Sequence, residues 1–550
     1  MVFLCCKIDI KRYNGIIVKN YEEGVLMKKL TELKFEELTL DQKLGMVHAA
    51  MINGNAKEEE IEYVFERIKN RALGAIWIQY GLKDWQEFLK RVHETADYPI
   101  LIITDCENGI DEYQVGRHNP IACTGDEKYA YAFGKAVGFT AKNYGYNVVC
   151  NPVLDIDNNG FVRCFGKDKN VIAKMGSAEA RGMHDAGVLT VGKHYPSGRN
   201  EKNIDAHMAE SVSSQTREQL LDDSLFAYVK MMKAGLLDGV MTSHQKFSNI
   251  DGKYPASLSK KVIDVIRDEG FNGFCITDAL GMMGIRAKFG DAESKGLAIA
   301  AGNDLALTYT NKPRFDQEAI NTAYEKGVIS DEQLNECVKR ILLAQHKVML
   351  LDESRCKELT EEEIALCKDI PKVSVYAQAD EGLTPAISKD GKHLFAVMVR
   401  NEMELGKVEV DTFSNGWLFP DKITKKLTEL FPNSKVRLFH EFPTQHHNHG
   451  IFQDSVIHDD VIFLTFSEPL AYAGKEALTS RVVSLIECLQ FTNRVSALLH
   501  FGNPCILGDL PHIPRVILGG LNNESVNASL EILAGERKAT GVTTFDIKLN

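Results

Sequence analysis

Between residues 75 and 308, short apolar runs recur in the sequence, and each run ends in a polar residue. Seven of these runs are visible, at residues 75–79, 101–105, 148–151, 188–194, 239–244, 274–278 and 304–308. Near-continuous apolar runs of this length are typical of parallel β-strands that are buried on both faces. The chain must therefore cover both faces of a parallel sheet, which limits the folds open to it.

Helix-patterned segments lie between these runs. In residues 257–269, a serine can cap the start, Val262, Ile263 and Ile266 form an apolar stripe, and Gly270 ends the pattern. Strands that alternate with helices over about 300 residues predict an α/β fold of the (β/α)8 TIM-barrel type, with its remaining early strand at residues 44–47. In that fold, polar residues at the carboxyl ends of the strands face the active site.

The sequence after the barrel predicts a second α/β domain. A helix at 332–349 closes the barrel, and a charged connection follows. Strands are then predicted at 394–399, 436–439, 461–466, 495–500 and 516–518, with helices at 422–430, 480–489 and 525–533. This alternation is typical of a three-layer α/β sandwich. We therefore predict an extension at 1–26, a barrel at 27–351, a linker at 352–390 and a sandwich domain at 391–550, with Met27 as a candidate translation start.

Composition and charge narrow the classes of partner. The net charge of -12 comes from 64 basic and 76 acidic residues without a long block of one sign, which gives no support for binding to nucleic acid. The twelve cysteines have no C-x-x-C spacing, which argues against a zinc site and against a disulfide framework. The apolar run near Val2 is too short for a signal peptide or a membrane anchor. We expect a cytoplasmic protein that does not bind membranes.

The residue of greatest chemical interest is Asp278, which ends the apolar run 274–278. A carboxylate at the end of a barrel strand is held rigidly at the mouth of the barrel, where it can act as a nucleophile, a base or a substrate anchor. The alternative interpretation is that Asp278 caps the helix that follows it.

A second group of polar residues lies at the end of the run 188–194 and in the segment that follows it. Lys193 and His194 offer a cation and a hydrogen-bond donor for sugar hydroxyls. Asp205 and His207 are two residues apart, so the carboxylate can fix the imidazole tautomer and stabilise its protonated form. Such a histidine can protonate a leaving oxygen and later accept a proton from water. The alternative is that both residues are exposed in a loop.

Two further features have both a functional and a structural interpretation. Arg163, which follows the run at 148–151, can reach a substrate hydroxyl or can lock neighbouring loops by pairing with an acid. The histidines of residues 445–449 suggest metal binding, but we interpret this stretch as a solvated loop. We expect no metal and no cofactor.

Together, these motifs resemble glycoside hydrolase family 3, and more narrowly its β-N-acetylglucosaminidase branch. The resemblance runs from residue 38 into the second domain, and its strength lies in the shared order of the motifs. The stretches that carry it are 38–45, 103–109, 151–155, 163–168, 193–196, 205–207, 240–244, 255–259, 273–282, 301–304, 501–504 and 533–536.

The resemblance implies a role for each matched residue. Asp278 falls on the family's catalytic nucleophile, and His207, supported by Asp205, falls on its general acid/base. The retaining mechanism, in which a covalent intermediate is hydrolysed, would then apply with a histidine in place of the second carboxylate. The positions that bind or line the sugar pocket are matched by Asp105, Arg163, Lys193, His194, His244 and Met282.

The sequence also departs from the family pattern. The D-x-E-G-G motif has Asn108 in place of a glycine, and residues 197–203 replace the glycine-rich stretch that usually follows K-H-F-P. The alternatives are therefore a β-glucosidase or β-xylosidase, a β-N-acetylglucosaminide phosphorylase, and a non-catalytic sugar-binding relative. The family resemblance implies that the substrate is a small carbohydrate, and it suggests cell-wall fragments as the natural substrate. The sequence does not indicate the oligomeric state.

Overall fold

The structure is a computed structural model that describes residues 30–156, 163–198, 207, 209–399, 420–467 and 478–546. The predicted extension 1–26, Met27, Asp205 and most of the stretch 197–203 lie outside the described residues.

The strands of the first domain form a nearly closed barrel. They are β1 (His48–Met51), β2 (Ala75–Trp77), β3 (Leu101–Thr104), β4 (Val148–Val149), β5 (Leu189–Tyr195), β6 (Val212–Ser213), β7 (Gly239–Thr242), β8 (Lys246–Phe247), β9 (Phe274–Thr277) and β10 (Ala306–Leu307). Eight of them are parallel in the order β10-β1-β2-β3-β4-β5-β7-β9, and the short strands β6 and β8 pair separately. A parallel bridge between Ile276 and Leu305 links β9 to the start of β10. The predicted barrel is confirmed.

Helices alternate with the barrel strands. They are α1 (Leu40–Met46), α2 (Glu58–Lys69), α3 (Trp85–Thr95), α4 (His118–Cys123), α5 (Glu127–Tyr144), α6 (Lys169–Asp185), α7 (Arg217–Asp222), α8 (Phe226–Lys233), α9 (Lys260–Asp268), α10 (Met283–Phe289), α11 (Asp291–Ala300), α12 (Pro313–Glu325) and α13 (Asp331–Ser354). The cap of α9 is Ser259, whose side chain accepts from the backbone N–H of Val262, so the predicted start of this helix at Ser257 is wrong.

The predicted strand at residues 44–47 is also wrong. Most of that stretch is the last turn of α1, and β1 begins directly after it at His48. Thr39 and Gln42 form a capping box, in which the side chain of each residue accepts a hydrogen bond from the backbone N–H of the other. This cap stabilises a helix start, and the helix then buries Leu44 and Met46 as a strand would have done.

The second domain is a six-stranded sheet with helices. Its elements are α14 (Glu361–Val373), β11 (Tyr376–Ala379), β12 (His393–Val399), α15 (Pro420–Leu430), β13 (Lys435–His440), α16 (Gln445–Ser455), β14 (Asp460–Ser467), α17 (Ser480–Phe491), β15 (Val495–Gly502), β16 (Arg515–Gly519) and α18 (Asn523–Leu533). The order is β11-β16-β15-β14-β12-β13, and only β11 is antiparallel to its neighbour. The order reverses after β13, so right-handed crossovers place helices on both faces. The predicted α/β sandwich is confirmed.

The stretch predicted as a linker and the stretch predicted as a solvated loop both contain regular structure. Residues 352–390 include α14, which is tied to α5 by an ion pair of 2.6 Å between Lys135 and Glu363, and β11 of the second sheet. Residues 445–449 form the first turns of α16 rather than a solvated loop. Thr444 caps this helix by accepting from the backbone N–H of His447, an interaction of the kind that starts helices.

The barrel is secured between β9 and β10 by Asp304, whose side chain is fully buried. Its carboxylate accepts from the backbone N–H of Cys275 at 2.7 Å and from the guanidinium groups of Arg267 and Arg340, each at 2.8 Å. Cys275 lies in β9, so this carboxylate joins the last two strands of the barrel to helices α9 and α13.

We expect Asp304→Ala to lower the free energy of unfolding by about 3 kcal/mol, because it leaves two poorly solvated guanidinium groups without their carboxylate. Urea denaturation followed by tryptophan fluorescence measures this change. The matched control is Asp264→Ala, which removes a surface pair with Lys260 and should cost less than about 0.5 kcal/mol. Equal small losses in the two variants would contradict the role given to Asp304.

Candidate active site

The polar residues at the carboxyl ends of β3, β5 and β9 meet at one end of the barrel. Asp105 follows β3, Lys193 lies in β5 and Asp278 follows β9. The sheet register pairs Lys193 with Met241, and Met241 with Ile276, two residues before Asp278. Since side chains alternate along a strand, Lys193 and Asp278 project on the same side of the sheet, and Asp105 joins them because Lys193 donates to its carboxylate.

A buried carboxylate, Glu107, gathers the cations of this site. Arg163 donates to it through two nitrogens, at 2.5 and 2.9 Å, and Arg117 donates at 3.2 Å. The ammonium nitrogen of Lys193 lies 2.7 Å from Glu107 Oε1. Although burial opposes ionisation, Arg163 and Lys193 hold the pKa of Glu107 well below its usual range. Glu107 is therefore a fixed negative charge that holds three cationic side chains in place.

Lys193 also donates to Asp105. The side chain of Lys193 is 1% exposed, whereas that of Asp105 is 36% exposed. Although burial opposes it, the carboxylates of Asp105 and Glu107 raise the pKa of Lys193, so this lysine is charged. Lys193 therefore anchors a carboxylate that still opens into the barrel mouth, where it can accept hydrogen bonds from a ligand's hydroxyl groups.

His194 is oriented by Asp155. The backbone N–H of His194 donates to Asp155 Oδ1 at 2.9 Å, and its Nδ1 lies 2.8 Å from Asp155 Oδ2. The other ring nitrogen, Nε2, lies 3.5 Å from Arg163 Nη2. Burial opposes ionisation of Asp155, but His194 outweighs it and lowers the pKa of this carboxyl. His194 and Arg163 are thus placed side by side at the site.

The Asp278 carboxyl lies on a turn held by backbone hydrogen bonds. The N–H of Asp278 donates to Thr242 O at 2.9 Å, and the N–H of Ala279 donates to Asp278 Oδ1 at 2.7 Å. Burial would raise the pKa of this carboxyl, but His194 and His244, followed by the Ala279 N–H and His207, lower it below its usual value. Asp278 is therefore an ionised carboxylate near neutral pH, as a nucleophile requires.

His244 and Met282 lie beside the turn that carries Asp278. His244 Nδ1 is 2.8 Å from Ser257 Oγ and Nε2 is 2.9 Å from Ala279 O, so both ring nitrogens contact protein groups. Burial lowers the pKa of His244. The N–H of Met282 donates to Ala279 O, and its side chain is buried. These contacts make His244 and Met282 a support for the Asp278 turn.

The structure brings together Asp105, Arg163, Lys193, His194, His244, Met282 and Asp278 of the predicted site. His207 is described and lies close enough to influence the ionisation of Asp278, whereas its predicted partner Asp205 lies outside the described residues. Three residues with structural roles at the site were not predicted: Glu107, Arg117 and Asp155. Glu107 and Asp155 lie in the motifs 103–109 and 151–155, each shortly after a barrel strand. Their position after a strand could have identified both as site residues from the sequence.

The described residues contain no group of three or more His, Cys, Asp or Glu side chains that suits a metal ion. No helix among them is long and apolar enough to cross a membrane.

The fold defines the class of the protein as an α/β barrel joined to an α/β sandwich domain. Residues 38–344 match the model of the glycosyl hydrolase family 3 N-terminal domain. The match covers more than half of the chain, which therefore belongs to glycosyl hydrolase family 3.

The individual relatives have low sequence identity to this chain. A β-N-acetylglucosaminidase/β-glucosidase of Cellulomonas fimi is 26% identical over an alignment of 344 residues, and the alignment covers 58% of this chain and 59% of that protein. This chain thus spans well under the full length of that relative. The structure of a family 3 β-N-acetylglucosaminidase from Paenibacillus sp. str. FPU-7 has a TM-score of 0.75 at 23% identity, over 93% of this chain and 100% of that chain. A β-glucoside phosphorylase has a TM-score of 0.74 at 23% identity, over 93% and 95%. At these identities, the two structures show the shared fold.

We expect Glu107→Gln to raise KM for an aryl glycoside at least about tenfold, with a smaller effect on kcat, because Lys193 and Arg163 lose the charge that holds them. Steady-state kinetics separate the two constants. Glu112→Gln is the matched control, since Glu112 is an exposed acid five residues away whose pair with Lys368 lies outside the site. A KM equal in the two variants would contradict the role given to Glu107.

Proposed function

We propose that the protein is a retaining β-N-acetylglucosaminidase that hydrolyses terminal β-linked N-acetylglucosamine. The observation that carries the proposal is the position of the ionised Asp278 carboxylate, which enters the same barrel mouth as the charged cluster around Lys193. A carboxylate nucleophile beside fixed donors and acceptors for hydroxyl groups is the arrangement that a retaining glycosidase needs.

In the first step, the cluster fixes the terminal sugar. Asp105 accepts hydrogen bonds from its hydroxyl groups, while Arg163, Lys193 and His194 donate to its oxygens. Asp278 then attacks the anomeric carbon and forms a covalent ester as the bond to the leaving oxygen breaks. In the second step, water attacks the anomeric carbon, the ester bond breaks, and Asp278 is released as a carboxylate.

The proton transfers are assigned to His207. It gives a proton to the leaving oxygen in the first step and takes one from the attacking water in the second. Two observations support this assignment: the D-x-H motif of residues 205–207 and the influence of His207 on the pKa of Asp278. Asp205 is proposed to stabilise the protonated imidazole.

The proposed substrates are small β-N-acetylglucosaminides, and cell-wall fragments are their proposed natural source. The proposed location of the protein is the cytoplasm. The D-x-H motif and the names of the relatives from Cellulomonas fimi and Paenibacillus support the sugar. The first of these names also includes β-glucosidase, so aryl β-glycosides that differ only at the second carbon of the sugar test the choice. We expect the N-acetylglucosaminide to have a higher kcat/KM than the glucoside and the xyloside.

Phosphorolysis is the second candidate, and the histidine acid/base favours it. A neutral imidazole repels an incoming phosphate less than a carboxylate does. Product analysis with and without inorganic phosphate separates the two reactions. Free N-acetylglucosamine in both incubations supports hydrolysis, and the appearance of the sugar phosphate identifies a phosphorylase.

We expect Asp278→Asn to reduce kcat for a nitrophenyl β-N-acetylglucosaminide by more than about 10⁴-fold, because the amide cannot form the glycosyl ester. Asp264→Asn, a surface acid on α9, is the matched control and should keep the wild-type rate. An Asp278→Asn variant with a rate near that of the wild type would rule out this nucleophile. A wild type that binds the sugar without turnover would instead support the non-catalytic alternative.

We expect the effect of His207→Ala to depend on the leaving group. A nitrophenolate needs little protonation, so its release should slow only modestly, whereas release of an alcohol should slow by about 10²-fold or more. A series of aryl and alkyl N-acetylglucosaminides measures the slope of log kcat/KM against the pKa of the leaving group. An equal loss across the whole series would count against His207 as the acid.

A further inference from the structure

Residues 541–546 follow the last helix of the second domain in sequence and lie against the barrel. The backbone N–H of Val542 donates to Cys123 O at 2.8 Å, and Asn119 Nδ2 donates to Thr544 Oγ1 at 2.7 Å. Cys123 and Asn119 both belong to α4, which begins eleven residues after Glu107. The segment 541–546, which we call the strap, thus joins the two domains at the side of the active site.

The strap also contacts the stretch that carries Arg163. The backbone N–H of Lys167 donates to Thr544 O at 3.3 Å, and the side chain of Lys167 pairs with Asp546. Gly166 has a φ of 138°, and a Cβ atom at this position would lie 2.7 Å from Thr544 O. Glycine is therefore required here both by its backbone conformation and by the close approach of the strap.

Phe545 is the residue through which the strap packs on the site. Its ring forms a buried cluster with Val153 and Cys164, and Cys505 of the second domain packs at its edge. Cys164 directly follows Arg163 in the chain. Val153 pairs with Lys193 as a parallel bridge, and the next N–H, of Leu154, donates to Lys193 O at 2.6 Å. The cluster that contains the Phe545 ring therefore includes a chain neighbour of Arg163 and a residue paired with Lys193.

We infer that Phe545 is a positioning residue, which holds Arg163 and Lys193 at the spacing that the Glu107 carboxylate and a bound sugar require. The inference rests on the proposed function, in which both cations grip the sugar. Replacing the ring by a methyl group leaves a cavity beside Cys164 and Val153, into which these segments can relax. A displacement of about 1 Å in a substrate-holding group is enough to lower activity markedly.

The first test does not require activity. Hydrogen–deuterium exchange of Phe545→Ala should show at least about tenfold faster exchange in the peptide that contains Lys167 N–H, because its acceptor Thr544 O is less well held. Val542→Ala is the matched control, since this half-exposed strap residue keeps its backbone bond to Cys123. The inference is overturned if the Lys167 peptide exchanges at the same rate in Phe545→Ala as in the wild type.

The second test uses kinetics with the aryl β-glycoside that the wild type hydrolyses fastest. We expect Phe545→Ala to raise KM about tenfold with kcat within about threefold of wild type, Phe545→Leu to restore most of the loss, and Val542→Ala to have no effect. In an Arg163→Ala background, where Lys193 is the one of these two cations still to be positioned, Phe545→Ala should raise KM by clearly less than about tenfold. An unchanged KM in the single variant, or a full tenfold effect in both backgrounds, overturns the inference.

The two tests separate this inference from the proposed function. If the wild type prefers a glucoside or xyloside, the proposed sugar is wrong. Phe545 is still tested, because Phe545→Ala and Val542→Ala are then compared on that glycoside. If the wild type turns over no glycoside, the exchange measurement alone decides whether Phe545 holds the Arg163 stretch. Thermal unfolding of each variant shows whether Phe545→Ala is folded, and Phe545→Val, which leaves a smaller cavity, replaces it in both tests if it is not.

Discussion

The charge balance around Glu107 is the interaction on which the geometry of the site depends. A carboxylate buried at this depth would cost several kcal/mol if it were unpaired, so it must be surrounded by cations. Arg117, Arg163 and Lys193 meet this need from three separate segments of the chain. Each of them is therefore fixed by the same carboxylate, and Lys193 in turn fixes Asp105 by donating a hydrogen bond to it. A flexible set of long side chains becomes a rigid surface for hydroxyl groups.

The proposed nucleophile, Asp278, is held by a different set of contacts. Asp278 lies on a backbone turn between Thr242 O and Ala279 N–H, and His244 links that turn to Ser257. Asp304 secures the strand before this turn against the next strand of the barrel. The cluster around Glu107 and the Asp278 carboxylate are therefore built on different strands of the same barrel by separate interactions. In our account, their fixed separation sets where the anomeric carbon must lie.

The sequence was sufficient for the parts of the fold that depend on local patterns. The apolar runs predicted seven barrel strands because burial on both faces leaves a continuous signal, and the polar residues at their ends included Asp105, Lys193 and Asp278. The errors at 44–47 and 445–449 arose where a capping residue started a helix within an ambiguous run. Contacts between distant segments left no such signal: Arg163 is 56 residues from Glu107, and Thr544 is 425 residues from Asn119.

The central claim is that Asp278 forms a covalent bond to the sugar, and trapping of that intermediate tests it most directly. A 5-fluoro-N-acetylglucosaminyl fluoride has a good leaving group and a destabilised oxocarbenium-like transition state, so the glycosyl ester should accumulate. We predict that mass spectrometry of the digested protein finds the fluorosugar on the peptide that contains Asp278, and that Asp278→Asn abolishes the label. A label on another carboxylate, such as Asp105, would contradict the account.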